Sequence, residues 1–199
     1  VAGEVVHHNL LILDGAARGD VVVNAADGER SWPALDGRFR ALVPLVEGDN
    51  CVALVDDAGP NAFHAVYPPD PNPRFIRTLY IDGVDGDGSF DAEDGEAHDE
   101  ANAKQRLSTT MWLLQAFTAE TMHEEGFGRR TFRLQLEEGE DGVARPAVET
   151  FASSLTVAEA RALDGNTLWS TFYDELADLP SRDESKDVAV VAMTHYDAA

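Results

Sequence analysis

Hydrophobic positions recur at two different spacings along this chain, and the change from one to the other divides it. Up to residue 67 the apolar runs are short and lie about ten residues apart, with turn residues between them. Leu10–Leu13 closes at Asp14-Gly15, and Val21–Val23 closes at Asn24 and Asp27-Gly28. Asp36-Gly37 opens a third run, in which Phe39, Ala41, Val43 and Leu45 alternate with Arg38, Arg40, Leu42 and Pro44. Gly48-Asp49-Asn50 turns the chain into Cys51–Val55, and Asp57–Asn61 turns it into Phe63–Tyr67. Short alternating strands punctuated in this way predict a small β-sandwich over residues 1–67. Pro68, Pro69, Pro71 and Pro73 follow within six residues. They favour an extended segment that donates no sheet hydrogen bonds, which places a linker at 68–74.

From residue 75 to 199 the pattern predicts a mixed α/β domain, so the fold class expected for the whole chain is α+β. Phe75–Val84 reads as a strand. Ala103, Leu107, Met111, Leu114, Phe117 and Thr121 then follow at steps of four, four, three, three and four, one face of a helix about six turns long. Trp112, Leu113 and Ala116 widen that face. Gly126 stops the helix, because glycine takes a left-handed cap without steric cost. The period then changes to two: Phe132, Leu134 and Leu136 alternate with Arg133, Gln135 and Glu137, a strand with one wet face. Glu137–Arg145 is a charged turn and Val148–Leu155 a candidate strand. Thr156 with Glu159 has the capping-box form and starts a short helix. Asn166 caps another, with Leu168, Phe172, Leu176 and Leu179 on its apolar face, and Pro180 ends it. Val188–Met193 is a continuous apolar run of the kind covered on both faces. A mixed sheet backed by the long helix is the economical arrangement of these elements.

Charge narrows the partners. The chain carries 37 acidic and 15 basic residues, for a formal charge of −22, and its lysines are Lys104 and Lys186. Such a surface repels nucleic acid and anionic lipid, so neither is an expected partner. Abundant acid with little lysine on a foldable sequence suits a halophilic protein, since concentrated salt shortens the reach of self-repulsion. No apolar run approaches the roughly 20 residues of a membrane span, and no signal peptide is visible. The expectation is a soluble protein, cytoplasmic or secreted. Cys51 is the single cysteine, so no disulfide forms within the chain; its place in a predicted strand reads as a small buried hydrophobe.

Candidate chemistry is sparse. The histidines are His7, His8, His64, His98, His123 and His195, and no two share a helix face at i and i+4. His123-Glu124-Glu125 begins like a zinc helix, but Phe127 stands where the second histidine is required. His123 near a helix C-terminus is better read as a partner of the helix dipole. Asp85, Asp87, Ser89 and Glu96 occupy positions 1, 3, 5 and 12 of a calcium-loop template. Phe90 stands where that template needs glycine, and an acidic surface loop is the competing reading. There is no G-x-S-x-G elbow. Gly126-Phe127-Gly128 lacks the features of a phosphate loop and follows a helix instead of preceding one. Arg129 and Arg130 are adjacent cations in a strongly acidic chain. Either they bind carboxylates of a peptide or of the sandwich, or they pair with nearby acids and close the helix end.

Two resemblances add to this reading. The spacing from Gly37 to Asn50 resembles bacterial immunoglobulin-like modules. Trp112, Leu113, Gln115–Glu120, Met122, His123 and Gly126–Arg133 resemble a family classed as zinc metallopeptidases, best known from fungi and grouped with the zincins. Weaker echoes run through Trp32–Pro33, Gly37–Val43, Gly48–Asn50, Thr156–Asp164 and Val188–Asp197. That family's zinc site is a His-Glu-x-x-His helix, and this chain contains no such motif. The resemblance implies the N-terminal portion of a metallopeptidase, with residues 75–199 as the non-catalytic, upper part of a zincin. Zinc, its ligands and the general base would lie in a downstream catalytic segment, the expected partner, and a peptide or protein the substrate. The chain by itself is then expected to hydrolyse nothing. His195 and Asp197, in a His-x-Asp ending, are candidates to face the cleft. The competing expectation is a non-catalytic binding module of a halophilic protein.

Overall fold

The computed structural model describes residues 4–56, 59–69, 75–85, 100–140, 142–177 and 185–191. The architecture is α+β. Seven strands come first: β1 (Glu4–Val5), β2 (Leu10–Ala16), β3 (Val21–Ala25), β4 (Gly28–Trp32), β5 (Arg38–Pro44), β6 (Gly48–Asp56) and β7 (Gly59–Tyr67). They are followed by β8 (Phe75–Asp82), α1 (Glu100–Glu124), β9 (Leu136–Glu138), β10 (Ala144–Pro146), β11 (Val148–Ala152), α2 (Val157–Ala162), α3 (Gly165–Ala177) and β12 (Ser185–Val191). The chain divides into two compact units, one of Val1–Pro73 with Trp112–Arg145, the other of Arg74–Met111 with Pro146–Ala199.

In the first unit, five strands pair in the order β1-β7-β6-β3-β4, and β2 pairs with β5 in a second sheet. Alternation dictates the core. Leu11 from β2, Val21 and Val23 from β3, Ala41 and Val43 from β5, Val52 from β6 and Ala65 from β7 meet in one cluster with Val6 and Leu45. The strands depart from the sequence reading in several places: β1 was not foreseen, and β2 and β3 run through Asp14-Gly15 and Asn24, expected as turns. β4 was unforeseen because Gly28, Glu29, Arg30 and Ser31 are all exposed and only Trp32 is drawn inward. β6 places Asn50 and Val52 inside, so Cys51, one residue out of phase, is exposed and is not the buried hydrophobe expected of it.

In the second unit, β8 is the middle strand of a sheet ordered β11-β8-β12. Its residues Arg77 to Ile81 are buried in unbroken succession, as expected for a strand covered on both faces. Leu79 and Ile81 pack with Phe172 and Leu176 of α3, whereas Tyr80 packs with Ala103 and Leu107 of α1. Both pairings are parallel. A mixed sheet was expected here, but helices separate these strands in the chain, and such connections return it in the same direction. Thr156 and Glu159 form the reciprocal capping box of α2. Asp164, not Asn166, caps α3, accepting from the amides of Asn166 and Thr167 at 3.0 and 3.1 Å. Leu179 lies outside the described residues.

The long helix is present, and its buried line is the one read from hydrophobicity as far as Met111 but departs from it beyond. Ala103, Leu107, Met111, Gln115 and Ala119 are buried at steps of four, joined by Trp112 and Ala116, whereas Leu114 and Phe117 are 48% and 66% exposed. Small alanines admit close neighbours, and Gln115, also buried, uses its side-chain nitrogen and its backbone carbonyl in bonds described below, while its Oε1 is left without a partner. The strand expected across Phe132–Leu136 is also shorter: β9 begins at Leu136 and pairs with β10.

Two measurements follow. Native protein should react with an aromatic disulfide reagent at one thiol per chain without denaturant, since Cys51 is exposed; a thiol that reacts only after unfolding would contradict the β6 register. His8 is 1% exposed and neither ring nitrogen makes a hydrogen bond of acceptable geometry. Burial pushes its pKa down to about 4, aided by His7 and opposed by the Leu10 backbone. The unfolded chain binds this proton near pH 6.5 and the folded chain only near 4, so the stability is complete above 6.5 and is lost as pH falls through that window. The loss amounts to about 3 kcal/mol. Subtracting the pH–stability curve of His8→Leu from that of the parent isolates this term; parallel curves between pH 6.5 and 4 would refute it.

Candidate functional site

The segment that bears the motif, Trp112 to Arg133, is a helix, a turn and a returning segment that belongs to no strand, all within the first unit. The turn is a Schellman cap. The amide of Phe127 donates to the Met122 carbonyl at 2.9 Å and that of Gly126 to the His123 carbonyl at 3.0 Å. Gly126 has φ +84°, a conformation that costs any residue with a Cβ. His123 lies in the last helical turn, where a protonated imidazole suits the dipole.

Beyond the cap, the chain runs back along α1 and is bonded to it turn by turn. Arg129 Nε donates to Glu120 Oε1 at 2.8 Å, and a terminal guanidinium nitrogen pairs with Glu4 of β1. Thr131 donates its hydroxyl to the Gln115 carbonyl at 2.9 Å, and Gln115 Nε2 donates to the Phe132 carbonyl at 2.8 Å. One turn earlier, Trp112 Nε1 donates to Asn9 Oδ1 at 2.8 Å in a buried setting. Asn9 Nδ2 in turn donates to the Ala144 carbonyl at 2.6 Å, and the guanidinium of Arg145 lies 5.9 Å from the Trp112 ring centroid. Most of these polar groups are therefore spent on backbone or on one particular side chain, Gln115 Oε1 being buried without a partner.

Burial raises the pKa of the Glu120 carboxyl, with His123 opposing and Glu124 reinforcing the shift, and burial lowers that of Arg129. The two directions have the same cause: each charge has lost water and relies on its partner. Arg130 is exposed, and its amide donates to the Gly128 carbonyl at 2.8 Å. Arg129 and Arg130, adjacent in sequence, thus have separate surroundings.

The remaining candidates are not brought together. Asp85 follows β8, while Asp87, Ser89 and Glu96 of the calcium template lie outside the described residues, as do His195 and Asp197. Among the described residues no group of three or more His, Cys, Asp or Glu side chains could hold a metal ion. His7 is exposed, His8 buried, and His64 and His123 exposed. The described residues do not fit a zinc site. Nor is any described helix long and apolar enough to cross a membrane. Asn9 and Glu4 were not singled out by their sequence: each lies about a hundred residues from its partner, and nothing local marks it.

Three comparisons with known proteins bear on the chain as a whole. The profile of a family described as "Putative peptidase family" matches residues 1–199. A protein of Schizosaccharomyces pombe named as a putative zinc metalloproteinase is 36% identical over 108 residues, covering 54% of this chain and 18% of the relative. The match thus spans less than a fifth of that relative's length. A crystal structure of a carbohydrate acetylesterase from Xanthomonas citri aligns over 78% of this chain and 38% of its own, at 10% identity and a TM-score of 0.27. A likeness that slight carries no weight.

If Arg129 fastens the returning segment, Arg129→Met should lower stability by about 1–3 kcal/mol, because Glu120 and Glu4 lose their partner where water is scarce. The double variant Arg129→Met/Glu120→Gln should recover part of that loss, since one orphaned charge is removed. Chemical denaturation measures both. Equal stability of Arg129→Met and parent would make the pair incidental.

Proposed function

This chain belongs to the putative peptidase family over all 199 of its residues, and from that premise we propose that it is the non-catalytic, N-terminal portion of a zinc-dependent metallopeptidase. The observation that carries the reading is a mismatch. The family match runs the length of the chain, yet the sequence has no His-Glu-x-x-His helix and the described residues hold no metal-binding group. The relative named for zinc is several times longer than the segment it shares with this chain, which leaves room for a catalytic segment elsewhere in such proteins.

On this reading each unit has a task. The five-stranded and two-stranded sheets around one core act as an immunoglobulin-like module that positions the substrate. The parallel sheet with α1 acts as the upper part of a zincin. An extended substrate adds to the edge of that sheet through main-chain hydrogen bonds. β11 suits the task better than β9, because it is the outer strand of its sheet and five residues long, whereas β9 has three and pairs with β10. The charge of −22 fits work in concentrated salt.

Zinc stoichiometry and peptidase activity of this chain, compared with those of the full open reading frame that encodes it, test the proposal. The full product should hold one zinc per chain and cleave unstructured peptides, with activity lost to chelators. Residues 1–199 should hold none and cleave nothing. Stoichiometric zinc or measurable hydrolysis with residues 1–199 alone would overturn the assignment.

A further inference from the structure

A second feature of the first unit has no place in that account. A groove of about 550 Å³ is lined by Asp14, Trp32, Pro33, Leu35, Arg38, Phe39 and Arg40. Its walls are apolar. Trp32 ends β4, the last strand of the five-stranded sheet, and Phe39 stands near the start of β5. Phe39 faces Gly15 across the β2–β5 pair, and a Cβ on Gly15 would lie 2.5 Å from the Phe39 ring. The ring therefore rests on bare backbone, and residue 15 sets where that wall stands. Leu35 is 72% exposed beside these rings, held on a tight turn by reciprocal backbone bonds with Arg38 at 2.8 and 3.0 Å.

The mouth of the groove is cationic. Arg38 and Arg40 both donate to the same oxygen of Asp14, at 3.3 and 3.1 Å. Two guanidinium groups against one carboxylate leave a surplus positive charge, and most of their ten N–H donors have no call on them from Asp14. Both side chains are about two-thirds exposed, at 71% and 68%. This surplus stands out in a chain of net charge −22, whose long-range field disfavours polyanions and tolerates a monoanion. Small-ligand sites combine apolar walls with a few convergent polar groups in this manner.

We propose that this groove binds an apolar monocarboxylate, its hydrocarbon part between Trp32, Leu35 and Phe39 and its carboxylate on Arg38 and Arg40. The same chemistry is offered by the C-terminal residue of a peptide and by a free aromatic acid. The site is independent of the peptidase reading, since it uses no residue of the helix–turn segment.

Titration calorimetry tests it, at the lowest salt in which the chain still unfolds cooperatively. The probes are acetyl-Ala-Ala-Phe with a free carboxyl terminus, the same peptide as its C-terminal amide, and 3-phenylpropionate. At least one of the two acids should bind, and the amide at least tenfold more weakly than the peptide acid wherever the latter binds. Binding of the peptide acid alone identifies a chain terminus as the source, and of phenylpropionate alone a small acid. Arg38→Gln/Arg40→Gln should weaken binding at least tenfold, and so should Leu35→Asp, an exposed position whose change leaves the core intact. Arg106→Gln, which removes an exposed cation of α1 that does not line the groove, should leave affinity within twofold. Failure of both acids to bind, equal binding of acid and amide, or unchanged affinity in the two groove variants would overturn the proposal.

Discussion

The amide of Asn9 is the interaction on which the first unit depends. It is 1% exposed, and both the oxygen and the nitrogen of its side chain are engaged. Its oxygen accepts from the Trp112 indole, its nitrogen donates to the Ala144 carbonyl, and its backbone carbonyl accepts from the Leu45 amide at 2.8 Å. Residues 45, 112 and 144 are thereby tied to one position. In a dry interior a donor or acceptor left unpaired costs about 1–3 kcal/mol, so each bond also enforces the others. All three are neutral. In a chain with 37 acidic residues, a neutral anchor holds at any salt concentration, whereas an ion pair at the surface would vary with it.

The same logic governs the segment from Trp112 to Arg133. Trp112 finds Asn9, Gln115 holds Thr131 and Phe132, Glu120 holds Arg129, and Gly126 turns the chain between them. Most of these bonds join a side chain to a backbone group or to one particular side chain, so few replacements preserve them. The motif reads as the fastening of a helix to the segment that returns along it, and it keeps that scaffold in register.

Much of this architecture was legible. Apolar runs marked β2, β3, β5, β6 and β7, the capping box marked α2, and helical spacing marked α1 and α3, although Asp14-Gly15, Asn24, Gly48–Asn50 and Asn61, read as turns, lie within strands. What could not be read had physical causes. β4 carries polar residues on both faces, so it lacks the alternation that betrays a strand. The buried line of α1 follows the predicted face through Ala103, Leu107 and Met111 and then continues through Gln115 and Ala119, while Leu114 and Phe117 stand in water, because polarity alone does not say which residue the neighbours will engage. Cys51 was misread because β6 starts three residues earlier than the run Cys51–Val55, with Asn50, expected in a turn, pointing inward. The candidate residues fared by distance. Arg129 near a helix end could be suspected from charge alone, but Glu4 and Asn9 are partners only because the fold brings them there. The groove at Trp32 and Phe39 depends on the missing side chain at Gly15, which periodicity does not register.

The central claim is that the motif is architectural and is anchored through Asn9 and Trp112. A double-mutant cycle with Asn9→Ala and Trp112→Phe, read by chemical denaturation of residues 1–199, addresses it most directly. The account predicts that the two changes are strongly non-additive: once either partner is gone, removing the other costs at least about 1 kcal/mol less than it does in the parent. Strict additivity of the two losses, or an Asn9→Ala variant as stable as the parent, would contradict it.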